Sequence, residues 1–124
     1  MSISRGTLRL PRSSRIKQRG DFARAKARGE RLVHGCLILN ALPRPGGSAS
    51  RVGVITSRKI GGAVVRSRAR RLLREAFRLH QREFLRPLDV ALVARASIVG
   101  KKLAHVEKDF LQALQRVRLI KGTG

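Results

Sequence analysis

Two hydrophobic spacings alternate along the chain, and the places where one gives way to the other mark out its elements. Leu32 to Leu42 reads Leu-Val-His-Gly-Cys-Leu-Ile-Leu-Asn-Ala-Leu, apolar on both faces at its centre, which predicts a buried strand or a pair of short strands. Pro43-Arg44-Pro45-Gly46-Gly47-Ser48-Ala49-Ser50 breaks the run and predicts an exposed loop. Val52 to Thr56 reads as the next strand, and Leu88 to Ala94, just behind Pro87, as another. Helical spacing takes over in three places. Asp21 as an N-cap and Gly29 as a stop bracket a short first helix with Phe22 as its large anchor. Leu103, Val106, Phe110, Leu114 and Val117 recur at steps of three and four, the packing stripe of a terminal helix. The third helix runs from Arg66 to Arg82 behind Gly61-Gly62-Ala63-Val64-Val65. The order is therefore α, β, β, α, β, α, with one strand open to being split, in an α/β fold. One domain over residues 19–120 is expected, behind a flexible basic arm at 1–18 that carries Arg5, Arg9, Arg12, Arg15 and Lys17.

The polar side of the third helix is unusual. Projected at about 100° per residue, Arg66, Arg70, Arg71, Arg74, Arg78 and Arg82 fall on one arc with Arg68 at its edge. Val65, Ala69, Leu72, Leu73, Ala76 and Leu79 form the other arc, with Phe77 at the border. An ordinary solvated face mixes signs at i,i+4; here only Glu75 and Glu83 stand near the guanidiniums. Such crowding is relieved by a polyanion. The whole chain agrees, with 29 Lys and Arg against 7 Asp and Glu, a net charge of +22 on 124 residues. Most of the cations are arginine, which meets phosphate through a planar fork and stacks on bases, as lysine does not.

Other classes of function are poorly served. No stretch approaches the roughly 20 apolar residues that span a bilayer, and Met1 to Arg19 lacks the apolar middle of a signal peptide, so a cytoplasmic protein is expected. A basic amphipathic helix can lie on an anionic membrane, but without Trp the apolar side is suited to packing on a sheet, and no membrane partner is expected. Cys36, the one cysteine, sits beside Leu37-Ile38-Leu39 and is expected to fill a strand interior. His34, His80 and His105 show no ligand spacing with it, so no metal site is expected. The acids Asp21, Glu30, Glu75, Glu83, Asp89, Glu107 and Asp109 are scattered, with no pairing suited to phosphodiester cleavage, so no catalytic residue is assigned.

Arg66-Ser67-Arg68 with Arg70, Arg71, Arg74, Glu75, Ala76 and Phe77, behind Gly62-Ala63-Val64-Val65 and Ser57-Arg58-Lys59, resembles the arginine helix of the bacterial ribonuclease P protein family. Leu10-Pro11, Arg15, Arg19, Asp21-Phe22 and Gly29 resemble the first helix of the same family, so the likeness covers nearly the whole chain. Ser67 stands where that family usually has Asn, Gly62 where it often has Asn, Lys26 where a second aromatic is common, and Asn40 where a facing aromatic is common. With no Trp or Tyr, stacking rests on Phe22 or on arginine planes, so charge is expected to outweigh stacking.

The resemblance implies a small sandwich of about four strands and three helices, like a ribosomal-protein domain, with a left-handed βαβ crossover. Pattern reasoning alone predicts the right-handed form. It implies a protein subunit that helps an RNA enzyme remove the 5′ leader of precursor tRNA, with the chemistry in the RNA and its magnesium ions and no cofactor on the protein alone. The expected partners are ribonuclease P catalytic RNA and precursor tRNA, with no DNA. Arg58, Lys59, Arg66, Ser67, Arg68, Arg70, Arg71, Arg74 and Arg78 are then expected on the catalytic RNA, Ser67 capping the helix or donating one hydrogen bond. A leader cleft is expected with Phe22, Leu37, Leu39 and Asn40 on its floor and Arg19 and Lys26 on its rim, Phe22 being equally open to plain core packing. The other reading of the same composition is a basic ribosomal or nucleoid RNA-binding protein with no role in cleavage.

Overall fold

The computed structural model describes residues 15–16 and 19–122, without the side chains of Arg19 and Phe22. Its elements are α1 (Arg19–Arg28), β1 (Glu30–His34), β2 (Leu37–Pro43), β3 (Arg51–Ile55), α2 (Ala63–His80), β4 (Leu88–Ala94) and α3 (Leu103–Arg116). The strands form one mixed sheet in the order β1-β2-β4-β3. β1, β2 and β4 pair antiparallel, while β3 runs parallel to β4, and α2 connects those two. The α/β architecture of four strands and three helices is thus as expected.

The long apolar run does split. His34 pairs with Leu37 across a two-residue turn, Gly35-Cys36, so the segment is a hairpin rather than one strand. Gly35 takes φ +56°, the left-handed value that the first central residue of such a turn requires. Cys36 therefore sits in the turn and not inside a strand, although it is buried as expected. Asp109 of α3 closes the turn by accepting the Cys36 amide at 3.0 Å, and Arg95 reaches back to the Gly35 carbonyl at 2.9 Å. Burial, then the Asp109 carboxylate, push the Cys36 thiol up to about 12, leaving it an inert packing group.

Alternation along the strands gives the sheet two unlike faces. Leu37, Leu39, Ala41, Val52, Leu88, Val90, Leu92 and Ala94 point into a core closed by Leu73, Ala76 and Phe77 of α2 and by Val106, Phe110 and Leu114 of α3. Phe77, at the border of the helical arc, is fully buried in this core, edge-on to Phe84 with ring centroids 5.7 Å apart; Phe84 meets Phe110 at 6.3 Å. Among the described residues, the other face carries α1 as its one helix. That helix begins at Arg19, three residues earlier than expected, so Asp21 lies in its first turn and does not cap it. Gly29 ends it as expected, for a reason that spacing alone does not show. A Cβ there would lie 2.5 Å from the carbonyl oxygens of Ala25 and Ala41, so only glycine lets α1 turn this tightly into the sheet.

Of the expected arm, residues 1–14, 17 and 18 lie outside the described residues. Arg15 bridges Val52 in parallel and the Ile16 amide donates to the Val52 carbonyl at 2.9 Å, on the outer edge of β3.

Gly35→Ala is expected to cost about 1–3 kcal/mol, because its Cβ would fall 2.2 Å from the Asp109 carboxylate at a φ that alanine resists; equilibrium denaturation measures this. At the far end of α2, His80 Nε2 lies 2.7 Å from Glu107 of α3 while its Nδ1 contacts Glu83. Burial opposes the charged ring, but the hydrogen bonds to Glu83 and Glu107 outweigh it and raise the pKa of His80. The stability this clamp adds is full below the ordinary histidine pKa and drains as pH rises through the raised value. Denaturant titrations from about pH 5 to about pH 9 should show that decline, and His80→Gln should flatten it.

Candidate nucleic-acid interface

α2 forms where the sequence places it, with Ala69, Leu73, Ala76 and Phe77 buried on its inner side. Gly62 is its N-cap and supplies no side-chain hydrogen bond, and no acid stands in its first turn. The positive end of the helix dipole thus adds to Arg58 and Lys59, both exposed on the short turn Arg58–Ile60 just ahead. Ser67 is the fifth residue of the helix and exposed, so it does not cap; a cap must precede the first turn.

The predicted arginines do not share one environment. Arg66, Arg70 and Arg74 stack at successive turns and are half-buried, whereas Arg68 and Arg71 are exposed. Arg70 donates to Thr56 Oγ1 at 2.7 Å and Arg68 to the Lys101 carbonyl at 2.8 Å, so both guanidiniums are held in place by uncharged acceptors. Burial, then the charges of Arg15 and Arg70, pull Arg74 below the usual arginine range, a repulsion that an anion would relieve. The Nε of Arg66 is sealed, with no partner among the described residues. Arg78 differs, since Glu75 accepts two of its hydrogen bonds, each of 2.7 Å, so among the described residues it is the one predicted contact that already has a counterion. Arg82 falls beyond the helix, on the turn Gln81–Glu83.

The face that carries α1 consists of three rows across the strands, read from their register. Val33, Ile38, Val93 and Ile55 form the first, Arg31, Asn40, Ala91 and Gly53 the second, and Leu42, Asp89 and Arg51 the third. α1 covers the second row: Asn40 is 1% exposed and Ala91 0%. The first row stays partly open, with Val33 40% exposed and its three neighbours half-buried. The floor expected from sequence is therefore corrected. Leu37 and Leu39 alternate with Ile38, so they face the core and are 0% exposed. Asn40 is on the correct face but beneath α1, its amide donating to the Ala91 carbonyl at 3.3 Å. Lys26 is exposed on α1, while the side chains of Arg19 and Phe22 lie outside the described residues. Val33, Ile38, Ile55 and Val93 are absent from the sequence-based set; alternation counted outward from the Gly35 turn would have found Val33 and Ile38, whereas Val93 and Ile55 join the row only through the sheet register.

The two features meet at one strand end. Ile55 closes the first row, and the next residue, Thr56, holds Arg70.

Residues 10–118 match the family model described as Ribonuclease P. The chain belongs to the ribonuclease P protein family. It is 36% identical over 106 residues to the ribonuclease P protein component of Gluconacetobacter diazotrophicus, covering 85% of this chain and 91% of the relative. The corresponding protein of Desulfovibrio desulfuricans is 39% identical over 111 residues, with coverages of 87% and 85%. Among solved structures, the ribonuclease P protein of Staphylococcus aureus superposes with a TM-score of 0.76 at 22% identity, covering 87% of this chain and 98% of that one. That of Thermotoga maritima gives 0.71 at 25% identity, with coverages of 87% and 98%. These ribonuclease P proteins share the fold of four strands and three helices. As a ribonuclease P protein component, the chain is a partner of the ribonuclease P RNA in tRNA processing. No helix among the described residues is long and apolar enough to cross a membrane.

Glu75→Gln would release Arg78 from its counterion on this face. RNA affinity is expected to rise about two- to fivefold, and the slope of log affinity on log salt to steepen by about one, in binding titrations at several ionic strengths.

Proposed function

We propose that the arginine face of α2, together with Arg58 and Lys59, binds phosphates of ribonuclease P catalytic RNA, and that the open first row of the sheet receives the single-stranded 5′ leader of precursor tRNA. The observation that carries this reading is the Arg70 bond to Thr56, 2.7 Å long, which sets the arginine face at the end of the apolar row. A substrate lying in that row and a catalytic RNA lying on α2 would meet there. The protein would then distinguish precursor from mature tRNA, since only the precursor has a segment to place in the row.

The cleavage itself is assigned to the RNA. Six of the seven acids are engaged within the fold: Asp21 and Asp89 by Arg51, Glu75 by Arg78, Glu83 and Glu107 by His80, and Asp109 by the Cys36 amide. Among the described residues, no three His, Cys, Asp or Glu side chains gather where they could hold a metal. Magnesium, which activates water and steadies the leaving oxygen in phosphodiester hydrolysis, would enter with the RNA phosphates. The protein's part is to lower repulsion between two polyanions, which reduces the magnesium that the RNA needs. The compartment that suits this work is the cytoplasm.

A bacterial ribonuclease P RNA, assayed on precursor tRNA at low magnesium, tests the assignment. Wild-type protein should restore accurate 5′ processing. The double variant Arg66→Ala, Arg70→Ala should bind the RNA about tenfold more weakly, with a salt slope shallower by about two. Indiscriminate RNA binding by the wild type with no gain in cleavage would contradict the proposal.

A further inference from the structure

The third row of the sheet is ionic, and it lies on the other side of α1 from the open first row. Arg51 of β3 donates from Nε and Nη2 to the two carboxylate oxygens of Asp89 on β4, at 2.8 and 2.7 Å. Its Nη1 reaches Asp21 of α1 at 3.4 Å. Arg44, in the loop after β2, adds a contact to Asp89 at 3.5 Å. Asp21, Arg24 and Arg28, at helical steps of three and four, line the same recess together with Leu42, Arg51 and Asp89. One flank of α1 is therefore tied to the third row. Lys26 lies on the opposite flank, about 100° round the helix from the buried Ala25.

We infer that Arg51 is a positioning residue for leader recognition. By holding Asp21, it seats α1 over the second row and against the third, and so keeps the first row open. The bidentate pair with Asp89 fixes the guanidinium plane, leaving Nη1 aimed at the helix. The other end of α1 is fixed independently by the close approach of Gly29 to Ala41. A helix held at both ends cannot slide across the sheet face it covers, where Asn40 and Ala91 are buried. Without the bond at Asp21, the described side chains in the first turn of α1 offer little to hold it down. Gly20 has space around it, since a Cβ there would meet nothing within 4 Å, and Ala23 is exposed. Among the described side chains, the seat is thus electrostatic at one end and steric at the other. This inference rests on the leader reading above for its effect on substrate, but not for its effect on α1.

Removing Arg51 would strand the buried Asp89 and could unfold the domain, so the test uses Asp21→Asn, with Asp21→Glu as the conservative variant. In the reconstituted holoenzyme, affinities for precursor and mature tRNA are compared, and hydrogen exchange is followed in the full-length protein. Asp21→Asn should lower the preference for precursor over mature tRNA by about three- to fivefold, leave affinity for the catalytic RNA within about twofold, and speed exchange of amides in residues 19–28 but not in the sheet. Asp21→Glu should restore most of the preference. Unchanged exchange in α1 would overturn the inference, as would a loss of affinity for the catalytic RNA equal to the loss for precursor. A wild-type holoenzyme with no preference for precursor would overturn the leader reading instead, and the exchange result alone would then decide whether Arg51 seats α1.

Discussion

Seven carboxylates have to organise a chain that carries 29 cations, and the structure follows from where they are placed. Four of them, Asp21, Asp89, Glu107 and Asp109, join elements distant in sequence or close a turn. Asp89 and Asp21 share Arg51, which ties β4, β3 and α1 together. Glu107 meets His80, linking α3 to the end of α2, and Asp109 closes the hairpin turn. That leaves Glu30, Glu75 and Glu83, of which, among the described residues, only Glu75 neutralises an arginine of α2. The positive field of α2 results from that allocation as much as from the arginines themselves. Had the acids been spread at i,i+4 along α2, the helix would have gained a few tenths of a kcal/mol per pair and lost its field.

The sheet turns this field into a directional site. The face with Leu39, Val90 and Leu92 is sealed by two helices and supplies the apolar burial that outweighs the repulsion between like charges. The opposite face has one short helix among the described residues, too narrow to cover three rows. An apolar strip consequently remains beside the strand end that leads into Arg58, Lys59 and α2. Arginine suits this border because its planar fork can be held by one bond, as Thr56 and the Lys101 carbonyl hold Arg70 and Arg68, while other N–H groups stay available.

Elements with one clear spacing are legible in the sequence. β4 is found at the predicted Leu88–Ala94, because Pro87 and Arg95 bound a run that is apolar except for Asp89. The stripe from Leu103 predicts α3, and the two arcs around Leu73 predict α2. The hairpin is harder to read. Leu37, Ile38 and Leu39 are all apolar, so hydrophobicity alone does not say which of them face the core, and the floor of the cleft read from sequence is one residue out of phase. The phase is fixed by the turn at Gly35, which Asp109 of α3 closes through the Cys36 amide. Asp21 misleads for a related reason. Aspartate ahead of a helix commonly caps it, but this one reaches across to Arg51, a partner no local pattern reveals. The arginine face is legible as a set, yet its division into tethered, crowded and neutralised members is not, since Thr56, Arg15 and Lys101 reach it only through the fold.

The chemistry of the open row bears on what such a site can discriminate. Val33, Ile38, Ile55 and Val93 offer aliphatic contact and no hydrogen-bonding side chain, so nothing in the row itself reads a base edge. Asn40 is the one amide in the three rows, and α1 covers it. On the proposed reading, a strand of RNA laid along the row would be held by the apolar faces of its bases and steered by the surrounding cations, with little dependence on sequence. On that same reading, such tolerance would suit a component that meets leaders of differing sequence. It also makes the width of the row, and hence the seat of α1, more consequential than the identity of any one side chain lining it.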